Sequence, residues 1–196
     1  MVAAREVWRA EEAAGIGGIA PERLVFLDGC GVPTNMARLR GRSPRGTRAV
    51  GTAPCGHRTR LTVLGALGIS GMVAATGVEA ATSGAVSHAR LEQAPLPRLR
   101  RSKPGAVPVL DNLRAHETAA VRGLLERSGC ACRCLPSCSP DPNPSEPAWA
   151  KVEAEPRRVA ARTTEALHQA LGPALDTITA QDASGFFRHA GYRRPN

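Results

Sequence analysis

A chain of 196 residues with 42% apolar content is long enough to bury one core and too apolar to be disordered. Lys and Arg outnumber the acids 26 to 17, a net charge of +9, and only Lys103 and Lys151 are lysines; the positive charge is nearly all guanidinium, which either matches the phosphates of a polyanionic partner or only mirrors the composition of a GC-rich genome. No apolar run approaches the roughly 20 residues of a membrane span and no signal-peptide pattern opens the chain, so a cytoplasmic protein with reduced cysteines is expected.

Residues 2–17 are predicted as a helix, with Val7, Trp8, Ala13 and Ala14 loosely on one face and Gly15, Gly17 and Gly18 ending the run. This lead-in, residues 1–20, precedes one domain, residues 21–196. Pro21 opens a strand over residues 24–27 that stops at Asp28, where Gly29, Gly31 and Pro33 break it. From Gly29 to Val78 there is no Asp or Glu, and the same window holds Arg38, Arg40, Arg42, Arg45, Arg48, Arg58 and Arg60. Gly41, Pro44, Gly46 and Gly51 make it a turn-rich basic hairpin region. Its arginines form either a solvated face or phosphate contacts, and the absence of acids to pair with favours phosphate.

Strands are predicted over residues 60–66 and 71–76. Residues 79–95 are Ala-rich and weakly helical, and Arg98, Arg100, Arg101 and Lys103 make a basic linker. Residues 106–110 read as a buried strand ending at Asp111. A helix over 114–127 stops at Gly129, and 132–135 is a short strand. A helix then starts near Ser145, with Ser145 as its N-cap and Pro147 tolerated in the first turn. Pro140, Pro142 and Pro144 hold the loop before it extended. A last helix over 164–178 repeats Leu167, Leu171 and Leu175 at four-residue steps. The tail from Phe186 to Tyr192 holds half the aromatics and is expected to pack down. Strands first, then strand alternating with helix, predict an α/β fold, a mixed sheet flanked by helices, with its ligand site beyond strand ends.

Asp28 and Asp111 each end an apolar run, and Glu146 lies at a helix start. Singly, each has an ordinary reading as a turn residue or a helix-dipole charge. Together, three carboxylates so placed can hold divalent ions. The wording is specific: Leu24-Val25-Phe26-Leu27-Asp28; Val109-Leu110-Asp111-Asn112 with His116 following; and Ser139-Pro140-Asp141-Pro142-Asn143-Pro144-Ser145-Glu146, with 34 residues between Asp111 and Glu146. These closely resemble the DDE transposases of bacterial insertion sequences in the mariner superfamily. Thr34-Asn35-Met36, Gly41-Arg42-Ser43-Pro44-Arg45-Gly46, Gly56-His57 and the Phe186–Tyr192 tail extend the resemblance, which covers roughly residues 20–76 and 104–192.

The resemblance implies a ribonuclease-H-like fold and metal-dependent DNA strand cleavage and strand transfer, using two Mg²⁺ or Mn²⁺ ions. It implies that Asp28, Asp111 and Glu146 form the metal-binding catalytic triad. Asn112, His116, Asp141 and Asn143 would surround it, and the seven arginines from Arg38 to Arg60 would contact DNA. The implied partners are double-stranded DNA, both transposon ends and target, and a second copy in a homodimer, with no membrane. Some positions depart from the family: Gly29 stands where Glu is usual, Cys30 where Ser or Thr is common, Cys138 for an aromatic, Pro142 for Leu, Ser145 for an apolar residue and Glu117 for Lys. Residues 77–100 lose most of the family's wording, and its N-terminal helix-turn-helix region is not in the sequence. The expectation is a truncated or decaying copy. The alternative is a catalytically inactive DNA-binding remnant, and a nuclease of the same fold with a host role is a third reading. Cys130, Cys132, Cys134 and Cys138 alternate in a way that suits small core residues better than a zinc site.

Overall fold

The computed structural model describes residues 7–8, 19–52, 54–55, 59–78, 104–110, 123, 126–127, 132–136 and 141–193. Outside these lie most of the predicted helices 2–17 and 114–127, the stretch 79–95, the linker arginines, Glu117, Cys130 and Cys138. The site candidates Arg58, Asp111, Asn112 and His116 also lie outside the described residues.

Five strands make one mixed sheet in the order β3-β2-β1-β4-β5: β1 (Leu24–Pro33), β2 (Arg60–Gly68), β3 (Gly71–Val78), β4 (Val107–Leu110) and β5 (Arg133–Cys134). β1 pairs antiparallel with β2, and β2 with β3; β4 runs parallel to β1, and β5 to β4. This is the expected mixed sheet.

One expectation fails. β1 does not stop at Asp28 but runs on to Pro33, because β2 keeps pairing with it from Val25↔Gly68 to Pro33↔Arg60. Paired backbone satisfies its polar groups whatever side chains Gly29 and Gly31 lack. The break lies on the other side of the strand. β4 pairs only Val107–Leu110 with Leu24–Leu27, so Asp28 is the first β1 residue past the end of β4. The carboxylate therefore sits in mid-strand, yet at the end of the parallel part of the sheet.

Alternation along the strands sorts the core into two faces. Leu24, Phe26, Cys30 and Val32 of β1 join Leu61, Val63, Val107 and Val109 on the face that packs against helices. Val25 and Leu27 lie on the opposite face with Ala66, Ala74 and Leu110. Asp28 has the parity of the helix-covered face.

That face is covered by α1 (Ser145–Val152), α2 (Ala154–Arg158), α3 (Thr164–Asp176) and α4 (Ala180–His189). Leu167 and Leu171 of α3 are buried at the four-residue spacing read from the sequence. Thr163 caps α3 by accepting the Ala166 N–H at 3.1 Å. The tail does pack down, as α4 followed by a turn to Tyr192. Phe187 stands edge-on to Phe26, ring centroids 5.4 Å apart, and Tyr192 lies 5.1 Å from Phe26. Among the described residues no helix is long and apolar enough to cross a membrane.

A capping box starts α4: Thr179 Oγ1 accepts the Asp182 N–H at 3.1 Å, and Asp182 accepts the Thr179 N–H at 2.9 Å. Lys151 of α1 donates to the same carboxylate at 2.7 Å and to the Thr177 carbonyl at 2.9 Å, tying α1 to α4. The Lys151 bond, then the Thr179 bonds, pull the Asp182 carboxyl down to about 2. A depressed folded value means the contribution is present above the unfolded carboxylate range and disappears as pH falls through about 2. An NMR titration is expected to find the Asp182 midpoint well below that of an exposed aspartate, and Lys151→Met is expected to raise it.

Candidate active site

Asp28 is buried to 6% exposure on β1, and its two oxygens are held separately. The Gly29 N–H donates to Oδ1 at 2.7 Å, and Asn143 Nδ2 donates to Oδ2 at 3.0 Å. Asn143 is itself buried to 3% exposure, and its Oδ1 accepts the Ser145 N–H at 3.0 Å. One side-chain amide thus fixes the Asp28 carboxylate and satisfies a free N–H at the start of α1. The expected capping by Ser145 does not occur. Pro144, with no side-chain donor or acceptor, occupies the cap position, Ser145 is the first helical residue, and Asn143 supplies the oxygen instead.

Glu146 follows as the second residue of α1, exposed, with its N–H on the Asn143 carbonyl at 3.3 Å. The chain from Asp28 through Asn143 to Glu146 is therefore continuous. Asn143→Ala is expected to cost about 1–3 kcal/mol in urea denaturation, because it removes the amide's bonds to the Asp28 carboxylate and to the Ser145 N–H.

Two contacts hold the loop and helix in place. The Tyr192 hydroxyl donates to the Pro142 carbonyl at 2.7 Å and accepts from Trp8 Nε1 at 3.3 Å, so the C-terminal tail clamps the residue before Asn143. Trp149, one turn after Glu146, lies across β2 at Gly65, the residue opposite Asp28. A Cβ at position 65 would stand 2.7 Å from Trp149 Cη2 and 2.8 Å from Met72 Cε. Glycine there lets the indole settle onto the sheet and sets the height of α1 above Asp28.

Cys30, read from sequence only as a departure from the family, pairs on this face with Glu153, which sequence reasoning passed over. The Cys30 thiol, on the same face as Asp28, donates to Glu153 Oε1 at 3.0 Å, and Glu153 Oε2 is bonded by Arg157. Burial pushes the thiol well above its ordinary range. The Glu153 hydrogen bond and the charges of Glu153, Asp28 and Glu146 add to the rise. Cys30 thus lies on the sheet face that carries Asp28 and touches Glu153, the residue that follows α1. Glu153 was findable: it stands seven residues after Glu146, two helical turns on the same face.

Carboxylate oxygens are hard donors of the kind Mg²⁺ and Mn²⁺ take. Among the described residues no three His, Cys, Asp or Glu side chains could by themselves hold an ion, and Asp111 lies outside those residues. Gly29 does not deplete the pocket. It has the opposite parity from Asp28, and a Cβ there would meet Leu64 Cδ2 at 3.0 Å on the far face.

Asp141 is exposed on the turn before Pro142. Arg38, Arg40, Arg42, Arg45 and Arg48 are all exposed on the arm between β1 and β2, and Arg60 is exposed at the start of β2. Among the described residues none of these six forms an ion pair. Cys134 is half-buried on β5, and Cys132 is half-buried just before it.

Residues 23–168 match the family described as DDE superfamily endonuclease. Solved structures of Mos1 transposase are similar in fold. The Mos1 mariner paired-end complex with Mn superposes with a TM-score of 0.74 at 18% identity, over 96% of this chain and 58% of that one. The catalytic domain of Mos1 mariner transposase gives 0.67 at 15% identity, over 96% and 86%. A pre-cleavage Mos1 transpososome gives 0.71 at 17%, over 92% and 56%. The chain thus spans little more than half the length of the transposase in those complexes, and nearly all of the isolated catalytic domain's fold, which is ribonuclease-H-like. The same Mos1 domain has been solved with Mg. A search of curated proteins finds no match.

Proposed function

The chain belongs to the DDE superfamily endonucleases, and from that premise we propose that it is the catalytic domain of a mariner-type transposase, cutting and rejoining DNA strands with divalent metal ions. The observation that carries this reading is the Asn143 bridge, which joins the Asp28 carboxylate to the start of the helix bearing Glu146.

Asp28, Glu146 and Asp111 would hold two Mg²⁺ or Mn²⁺ ions. The support for Asp111 is connectivity: it follows Leu110, which pairs with Leu27, and consecutive Cα atoms are only about 3.8 Å apart. When bound, the ions supply a low-pKa water or 3′-hydroxyl and stabilise charge during in-line displacement at a phosphodiester. The protein's own part is positional. Gly29 N–H and the Asn143 amide fix the rotation of the Asp28 carboxylate. Trp149 and Tyr192 fix the approach of α1 to the sheet. The positive end of the α1 dipole favours an anionic Glu146. DNA, as transposon end and target, is the proposed substrate, and the exposed, unpaired arginines of the β1–β2 arm support it electrostatically.

Nicking of supercoiled plasmid in Mn²⁺ tests this reading. The wild type is expected to nick, EDTA to stop it, and Glu146→Gln to lower the rate about a hundredfold or more, a few kcal/mol of transition-state stabilisation. A wild type that binds DNA but nicks no plasmid contradicts the enzymatic reading and fits the DNA-binding remnant.

A further inference from the structure

A second positively charged feature lies at the corner between α2 and α3. An open groove of about 570 Å³ is lined by Arg38, Arg157, Arg158 and Arg162, with Gly51 and Thr52 from the arm on its other wall. The four guanidinium groups are not equivalent. Arg157 is neutralised by Glu153, and Arg158 is paired with Glu155 through two bonds of 2.7 Å. Arg38 and Arg162 bond only backbone carbonyls: Arg38 to Arg158 at 3.2 Å, and Arg162 to Met36 at 2.6 Å and Thr34 at 3.3 Å. Among the described residues neither has a carboxylate partner.

A carbonyl accepts a hydrogen bond without cancelling the charge, and each guanidinium has five N–H donors. The carbonyls therefore hold the two forks in place while most of their donors and both full charges remain available. An oriented, uncompensated pair of this kind suits phosphate oxygens. Ala37 and Ala160 complete the lining, which holds no large apolar or aromatic side chain of the kind small-molecule pockets use. The exposed Arg40, Arg42, Arg45 and Arg48 continue the charge along the arm, as a repeating polyanion requires.

The groove also adjoins the carboxylate pocket. Arg157 on its wall bonds Glu153, Glu153 accepts from Cys30, and Cys30 is two residues from Asp28. We infer that this groove is a phosphate-contact site in which Arg38 and Arg162 each hold one backbone phosphate of duplex DNA, steadying the strand beside the carboxylate pocket. The inference rests on the reading of the chain as a DNA-cutting enzyme, and it adds Arg162, with Arg157 and Arg158 as walls, to the arm arginines picked out by sequence.

The test is the salt dependence of binding to a labelled 30-base-pair duplex of arbitrary sequence, read by fluorescence anisotropy in EDTA. Each lost phosphate contact lowers the log–log slope by about 0.9. The double variant Arg38→Gln/Arg162→Gln is expected to lose about two units of slope, and Arg38→Gln alone about one. Arg162 also supports the carbonyls of Thr34 and Met36, so the exposed Arg38 carries the test if the double variant unfolds. Arg188→Gln, on α4, is expected to leave the slope unchanged. An unchanged slope for Arg38→Gln overturns the inference, as does an equal loss for Arg188→Gln. A wild type that binds no duplex overturns it together with the proposed DNA substrate. Mn²⁺ binding measured on the same variants keeps the two readings apart, since the arginine changes are expected to leave it intact and only loss of pocket carboxylates to remove it.

Discussion

Asp28→Asn is expected to reduce Mn²⁺-dependent plasmid nicking about a thousandfold and to cost about 1–3 kcal/mol of stability. The substitution keeps the shape of the side chain but only one of its two accepting oxygens, so the new NH2 group faces either the Gly29 N–H or the Asn143 amide donor. It removes one formal charge from a pocket where Asp28, Glu146 and Glu153 all raise the Cys30 thiol. Ligand loss removes several kcal/mol of charge stabilisation from the displacement step, and each 1.4 kcal/mol is about tenfold in rate. Relief of like-charge repulsion offsets only part of the stability cost. Parallel nicking and urea-denaturation measurements check both halves. More than a tenth of wild-type nicking in the variant would sink the assignment of Asp28 as a metal ligand.

Phe187→Ala is expected to cost about 3–5 kcal/mol, with the melting temperature lowered on the order of 10 °C. Aromatics make up only 3% of the chain, and three of them meet at one place. Phe187 is fully buried edge-on to Phe26, two residues before Asp28, and packs against Tyr192, which clamps the Pro142 carbonyl. Small Ala and Val side chains around the triad cannot fill the space a ring leaves. Tyr192→Phe keeps the ring and loses only the hydroxyl bonds, so it is expected to cost about 1–2 kcal/mol. Thermal and urea unfolding read both variants, and a loss below about 1 kcal/mol for Phe187→Ala would contradict the role given to this cluster.

The sheet and its helices were legible because apolar runs such as residues 24–27 and 106–110, and the four-residue steps of Leu167 and Leu171, report burial directly. The length of β1 was not. Gly29 and Gly31 read as breakers, and only the antiparallel partner β2, which is remote in sequence, keeps those residues in the ladder. The loop from Asp141 to Glu146 was legible as a stiff approach to a helix start, but its internal wiring was hidden. Ser145 has the composition of a cap, yet the preceding prolines turn Asn143 inward to supply that oxygen and to reach Asp28. Glu153 and the α2–α3 arginines stood in a stretch that reads as an ordinary charged helix. Their meaning depends on Cys30 and the arm, which only folding brings beside them.

Isothermal titration of Mn²⁺ into wild type and Asp111→Ala addresses the central claim most directly, because that claim makes positions 28, 111 and 146 one metal-binding set. The wild type is expected to give a saturable binding heat, and Asp111→Ala, still folded by circular dichroism, is expected to lose it. Equal heats from the two proteins would contradict the account.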